Sequence, residues 1–281
     1  MNRLLVPVDF SQESSYALDF AIEFNKFYHG DIVLLHVLEG SKSKKVRWEE
    51  GDNLEDLFGS EKIQEVTDLL RSWLERVEKA GYRAAYSLKA GNTYKNISIA
   101  IAEEHATLIV MSAHGSSGLK QVLSGSHSKQ VVRFADCPVL TVKGSTEVSD
   151  IKEMVFASDL SEDQHAIMDQ AKSLQEILGE IPFHILYVRT KHNQIPEDEE
   201  EVLTRMEEFV ANHDVKNYTL NTILAEQTYE GILEFTKKKN IGLVAIGTHG
   251  KTGIAHLFEG SRAEELIEHS KIPVLTYKIF D

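Results

Sequence analysis

One arrangement of residues occurs twice in this chain and limits what it can fold into. From Ile241 the sequence reads Ile-Gly-Leu-Val-Ala-Ile-Gly247-Thr-His-Gly250, then nine residues, then Gly260-Ser261-Arg262-Ala263. Leu243 to Ile246 is short and wholly apolar, as expected of a strand buried on both faces of a parallel sheet. Gly247 and Gly250 are expected to end it in a sharp turn. Gly260-Ser261 then opens a helical pattern carried by Ala263, Leu266 and Ile267, with Ser261 at the cap or first turn. A strand, a glycine turn and a helix N-terminus together form an anion site, because backbone N–H groups and the positive end of the helix dipole converge there. The near-copy lies 135 residues upstream: Ser112-Ala-His-Gly115, nine residues, then Gly125-Ser126. Its one departure is Ser112 in place of Gly247.

The repeat extends through both halves. Leu4–Val8 is an apolar strand ending in Asp9-Phe-Ser11, and Met154–Ala157 leads to Ser158-Asp159-Leu-Ser161 at an offset of 150. Each is followed by an amphipathic helix, the first capped by Ser11 or Ser14 and ending near Gly30, the second carried by Ile167, Ala171, Leu174 and Ile177. The strands Ile32–Leu38 and Phe183–Val188 come next, and strand–helix–strand at this spacing is a right-handed βαβ unit. Further helices are expected over Glu61–Lys79, around Ile97–Ile101, from the acidic run Glu197–Glu201 that opens one with carboxylates suited to the helix dipole, and over Ile232–Lys239. Further strands are expected at Tyr82–Leu88, Thr107–Met111 and Tyr218–Leu224. Pro138–Val142 and Pro273–Tyr277 close the two halves as near-copies. Lys143–Lys152 is polar and aperiodic and reads as the linker. The chain is thus expected to hold two α/β domains, 1–145 and 151–281, each a doubly wound, Rossmann-like parallel sheet of five strands. The two Pro-Val-Leu-Thr strands are too apolar for open edges, so they are expected to pair within the chain as a pseudo-dimer.

Val188 echoes Val37 at an offset of 151, whereas Gly250 echoes Gly115 at 135, so residues 39–60 are a first-half insertion. That segment reads as a solvated loop, with a lid or docking role for Trp48 and Phe58 as the alternative.

Charge restricts the partners. A net charge of −14 argues against nucleic acid or an anionic membrane. Residues 146–281 carry 13 basic and 25 acidic side chains, a net of −12, so a polyanion bound there calls for a divalent cation or local backbone donors. No apolar run reaches membrane-spanning length and Asp9 interrupts any secretory core, so a cytoplasmic location is expected. The single cysteine, Cys137, reads as a small buried residue.

Gly-x-x-Gly, nine residues, then Gly-Ser/Thr resembles the ATP-binding signature of the universal stress proteins, and Gly247, Gly250, Gly260 and Ser261 match it fully. The likeness covers nearly the whole chain, twice over, as in tandem members of that family. It implies strand order 3-2-1-4-5 in each domain. It implies ATP (or ADP or AMP), with Mg²⁺, at the carboxyl ends of the strands. In the second half Asp159 then contacts the nucleoside and helps hold the metal, Val188 lies beside adenine, and Gly247 lies beside the ribose. Gly250, Gly260 and Ser261 cradle phosphates, joined by Arg262, while Glu259 would have to turn away or be bridged by Mg²⁺. Asp9, Val37, Gly115, Gly125 and Ser126 form a weaker counterpart, with His127 at the place of Arg262.

Binding is therefore expected chiefly in the second half. If Gly247 had φ > 0, Ser112 would cost about 1–2 kcal/mol in copying it. The expected function is a nucleotide-binding stress-response regulator with an unidentified protein partner, as pseudo-dimer or homodimer. The alternatives are a scaffold that binds no nucleotide, or a slow ATP-hydrolysing or adenylyl-transferring enzyme. No Walker lysine or paired base and nucleophile supports the enzyme. His114, His249, His256 and His269 match no metal-site spacing, and His36 and His184 read as core histidines.

Overall fold

A computed structural model describes residues 2–39, 53–113, 127–190, 198–249 and 262–279. The first half runs β1 (Arg3–Pro7), α1 (Gln12–Tyr28), β2 (Asp31–Leu38), α2 (Leu54–Phe58), α3 (Ser60–Lys79), β3 (Ala84–Ala90), α4 (Thr93–Glu103), β4 (Leu108–Ser112), α5 (His127–Phe134) and β5 (Val139–Val142). The second runs β6 (Met154–Ala157), α6 (Gln164–Ile177), β7 (Phe183–Thr190), α7 (Glu199–Ala211), β8 (Tyr218–Ala225), α8 (Thr228–Lys239), β9 (Leu243–His249), α9 (Arg262–His269) and β10 (Val274–Ile279).

The described strands form one ten-stranded sheet in the order β3-β2-β1-β4-β5-β10-β9-β6-β7-β8. Pairing within each half is parallel. The seam is the exception: β10 pairs antiparallel with β5, with Val274, Leu275 and Thr276 opposite Thr141, Leu140 and Val139. This joins the two apolar last strands inside one chain and removes the edges they would otherwise present.

The seam is closed symmetrically by two buried hydroxyls. Thr141 Oγ1 donates to the Val274 carbonyl at 3.1 Å, and Thr276 Oγ1 to the Val139 carbonyl at 3.2 Å. Across it, Arg133 Nε donates to the buried carboxylate of Glu264 at 3.0 Å, and Lys278 reaches Asp136 at 3.0 Å.

Parallel strands must be covered on both faces. Leu4, Val6, Phe24, Phe156, Met168 and Leu243 belong to one buried layer under α1, α3, α6 and α7. Leu5, Ile97, Val155, Ile232 and Leu266 belong to the other, under α4, α5, α8 and α9.

Three local expectations change. Segment 39–60 is not loop throughout: Leu54–Phe58 is α2, whose cap Asn53 accepts from Glu55 N–H at 3.0 Å. Phe58 packs against the core, and Trp48 lies outside the described residues. The linker, though aperiodic, buries Val148 and Ile151, and its 3₁₀ turn at Val148–Asp150 is held by Glu23 of α1, whose carboxylate accepts from Val148 N–H at 2.8 Å. Gly247 does not break its strand. It lies inside β9, opposite Tyr277.

Candidate functional site

In an open α/β sheet the ligand crevice opens at the carboxyl ends of the strands, where the winding reverses. In the second half that point lies between β6 and β9, where Ala157 pairs with Ile246. Ser158 and Asp159 leave β6 on one side, and Gly247 continues β9 on the other. Asp159 is exposed, and its Oδ1 accepts from Ser161 N–H at 3.2 Å and from Ser161 Oγ–H at 2.8 Å. Asp9 repeats this with Ser11, at 3.1 and 2.5 Å.

A feature that periodicity could not disclose lies between each of these pairs. Phe10 has φ of 61° and Leu160 has φ of 63°. Left-handed backbone costs a side-chain-bearing residue about 1–2 kcal/mol. Phe10 is held by its ring contacts with His36 and Trp73, at 4.6 and 5.4 Å between centroids. Leu160 N–H donates to Ser158 Oγ at 2.9 Å. The Asp-x-Ser echo marked the position, but nothing in its residue types marked the conformation.

Val188 is partly buried at the far end of β7, against α8, where a Cβ on Gly231 would come within 2.7 Å of its Cγ1. Val37 takes the same place in the first half. The repeat offset sets Asn96 opposite Gly231, and Asn96 Nδ2 donates to the Ala90 carbonyl at 2.8 Å. His36, beside Val37, contacts the Val8 carbonyl through Nδ1 at 2.7 Å. Burial lowers its pKa below the ordinary 6.5, opposed by that backbone bond and by Asp9.

Gly247 requires a correction. Its φ lies outside the left-handed region, so Ser112 carries no backbone penalty in taking its place. Space dictates the glycine instead. A Cβ there would overlap Ile167 Cδ1 and stand 3.0 and 3.1 Å from Gln164 Nε2 and Oε1. Gln164 and Ile167 are 4% and 2% exposed. At the offset of 150 the first half has Ser14 and Ala17, also buried, on the helix that packs against β4. The first half thus sets smaller helix side chains at the positions that match Gln164 and Ile167, and a larger residue at the position that matches Gly247. Gln164 and Ile167 are contributions to the site region that the motif did not indicate.

Gln164 stands out in another respect, since its Oε1 is buried without a hydrogen-bond partner. Ser14, its counterpart, is fully engaged in the Asp9 turn: its Oγ donates to the Ser11 carbonyl at 3.1 Å and accepts from Asp9 N–H at 3.4 Å.

Gly250, Gly260, Ser261, Gly115, Gly125, Ser126, His114 and His256 lie outside the described residues. Arg262 and His127 begin α9 and α5. Of the remaining histidines, His184 contacts Thr219 Oγ1 at 2.8 Å and Glu153 Oε2 at 2.7 Å, as a satisfied core group, and His269 stacks on Tyr229. Among the described residues, no cluster of three or more His, Cys, Asp or Glu could hold a metal ion, and no helix is long and apolar enough to cross a membrane. Burial pushes the Cys137 thiol up to about 12, far from a reactive thiolate.

Comparison with known proteins agrees with the doubled architecture. A universal stress protein of Methanocaldococcus jannaschii is 26% identical over 152 residues, half of this chain and 94% of the relative. One from Bacillus subtilis is 29% identical over 146 residues, again half of this chain and 99% of the relative. The crystal structure of a universal stress protein from Archaeoglobus fulgidus covers 100% of this chain, and this chain 97% of it, with a TM-score of 0.77 at 23% identity. The profile of the universal stress protein family matches residues 1–143 and again 150–278, and the chain belongs to that family, with two such domains in tandem.

Proposed function

We propose that this chain is an adenine-nucleotide-binding stress-response regulator that holds ATP with Mg²⁺ chiefly in its second domain. The observation carrying this reading is the convergence of Asp159 and Gly247 at the β6–β9 reversal, beside a buried carboxamide oxygen that has no protein partner. An orphaned acceptor packed against Gly247, where the winding reverses, fits a ligand that brings a donor. The complete glycine signature of Gly250, Gly260 and Ser261, running into α9 at Arg262, supports a phosphate cradle there. Asp9, Val37, Gly115, Gly125 and Ser126 form the second, weaker site. Its weakness rests on the satisfied Ser14 and on His127 in place of Arg262, not on backbone strain.

In this reading Asp159 contacts the nucleoside and shares the metal, Val188 flanks the base, and Arg262 adds charge to the phosphates. Mg²⁺ offsets a domain of net −12. Titration calorimetry on the full chain tests it, with one ATP expected per chain. Gly260→Val should abolish that binding and Gly125→Val should leave most of it; the reverse ranking would refute the choice of domain. Equal affinity in EDTA would refute the metal.

A further inference from the structure

Gln164 is the first residue of α6, 4% exposed, with its side chain against Gly247. A buried amide oxygen without a donor costs about 1–3 kcal/mol. Its neighbours make the omission specific. Ile167, one turn on, is fully apolar, and Ser14 in the other domain finds both a donor and an acceptor in its own turn. The terminal amide torsion is broad, so the amide plane can turn by part of a well to meet a donor brought to Gly247.

Resting on the nucleotide reading above, we propose that Gln164 is a specificity-determining residue of the second domain, whose Oε1 accepts a hydrogen bond from the nucleoside. The donor is an O–H of the ribose or the exocyclic N–H of the base. Both offer the same chemistry, and analogues separate them. The first domain, with Ser14 already satisfied, has no equivalent acceptor and should discriminate less.

The test uses the full-length protein and calorimetry with ATP, 2′-deoxy-ATP, 3′-deoxy-ATP and inosine triphosphate. In the wild type, the analogue lacking the donor should bind roughly tenfold more weakly than ATP, the worth of one hydrogen bond. Gln164→Met keeps the length and shape of the side chain without its polar atoms. It should bind ATP and that analogue equally well, and the nucleotide-free protein should melt at the same temperature or higher, because no protein bond is lost. Unchanged discrimination in Gln164→Met, with ATP still bound, would overturn the role of Gln164 and leave the nucleotide reading standing. A drop of several degrees in the unliganded melting point would show that Oε1 already has a protein partner, and would overturn it too. Absence of nucleotide binding by the wild type would overturn both.

Discussion

The two domains are built on one plan and differ where a helix meets a strand at the crevice. In the second, Gly247 yields room that Ile167 and Gln164 occupy; in the first, the larger Ser112 goes with the smaller Ala17 and Ser14 at the matching positions. On the other face the strand residue is valine in both domains, Val188 and Val37, and only the helix position differs, Gly231 in one and the hydrogen-bonded Asn96 in the other. The joint between the crevice helix and its outer neighbour differs in kind. Arg76 of α3 grips Asp19 and Ser15 of α1, whereas His213, after α7, contacts Asp169 of α6 at 2.7 Å and His165 at 2.6 Å. A departure from a motif therefore has to be read with the residue it touches. Ser112 looks like a degraded ATP signature in isolation and like half of a compensated pair in context.

The largest expected effect comes from breaking that compensation. Gly247→Ser should destabilise the second domain by about 1–3 kcal/mol through overpacking. Ile167→Val, which removes the obstructing methyl, should cost about 0.5–1.5 kcal/mol alone. Together they should cost less than their sum, with a coupling of about 1 kcal/mol in denaturant unfolding. Strict additivity would show that Ile167 is not what demands the glycine.

A smaller effect probes the place where the halves are alike. Thr141→Val and Thr276→Val should each cost about 0.5–1.5 kcal/mol, and by equal amounts, because each removes one buried hydroxyl bond across the seam. Unequal losses in thermal unfolding would mean that the seam is less symmetric than its register.

The smallest is a pH dependence confined to one half, small because the Val8 carbonyl and Asp9 partly offset the burial of His36. The folded pKa is depressed, so the unfolded chain takes up the proton more readily, and stability falls as pH drops below about 6.5. Tyr187 stands at this position in the second half. Hydrogen exchange should therefore quicken on acidification in β1 and β2 in the wild type and less so in His36→Tyr. An identical response in the two proteins would remove His36 as the cause.

Much of the fold was legible because its signals are local and repeated. The apolar strands, the Ser11 cap and the near-identical closing strands each carry their own periodicity or spacing. The helix Leu54–Phe58 escaped because five residues show too little period, and the anchoring of the linker because Val148 and Ile151 are isolated. At the crevice, Asp9 and Asp159 were legible as an echo. Gln164 and Ile167 were not, since what matters about them is their distance from Gly247, a contact across some 80 residues of chain. The left-handed Phe10 and Leu160 were hidden for a different reason: both are residue types that ordinarily avoid that conformation.

The antiparallel seam sets a direction for the whole molecule. Because β10 runs against β5 while all other pairings are parallel, the strands of one domain point opposite to those of the other. Their crevices therefore open at opposite ends of a single continuous sheet. Under the nucleotide reading proposed above, the two crevices would be filled from opposite ends of the sheet. Between the two crevices lies an unbroken hydrogen-bonded strip, from β9 through β10 and β5 to β4.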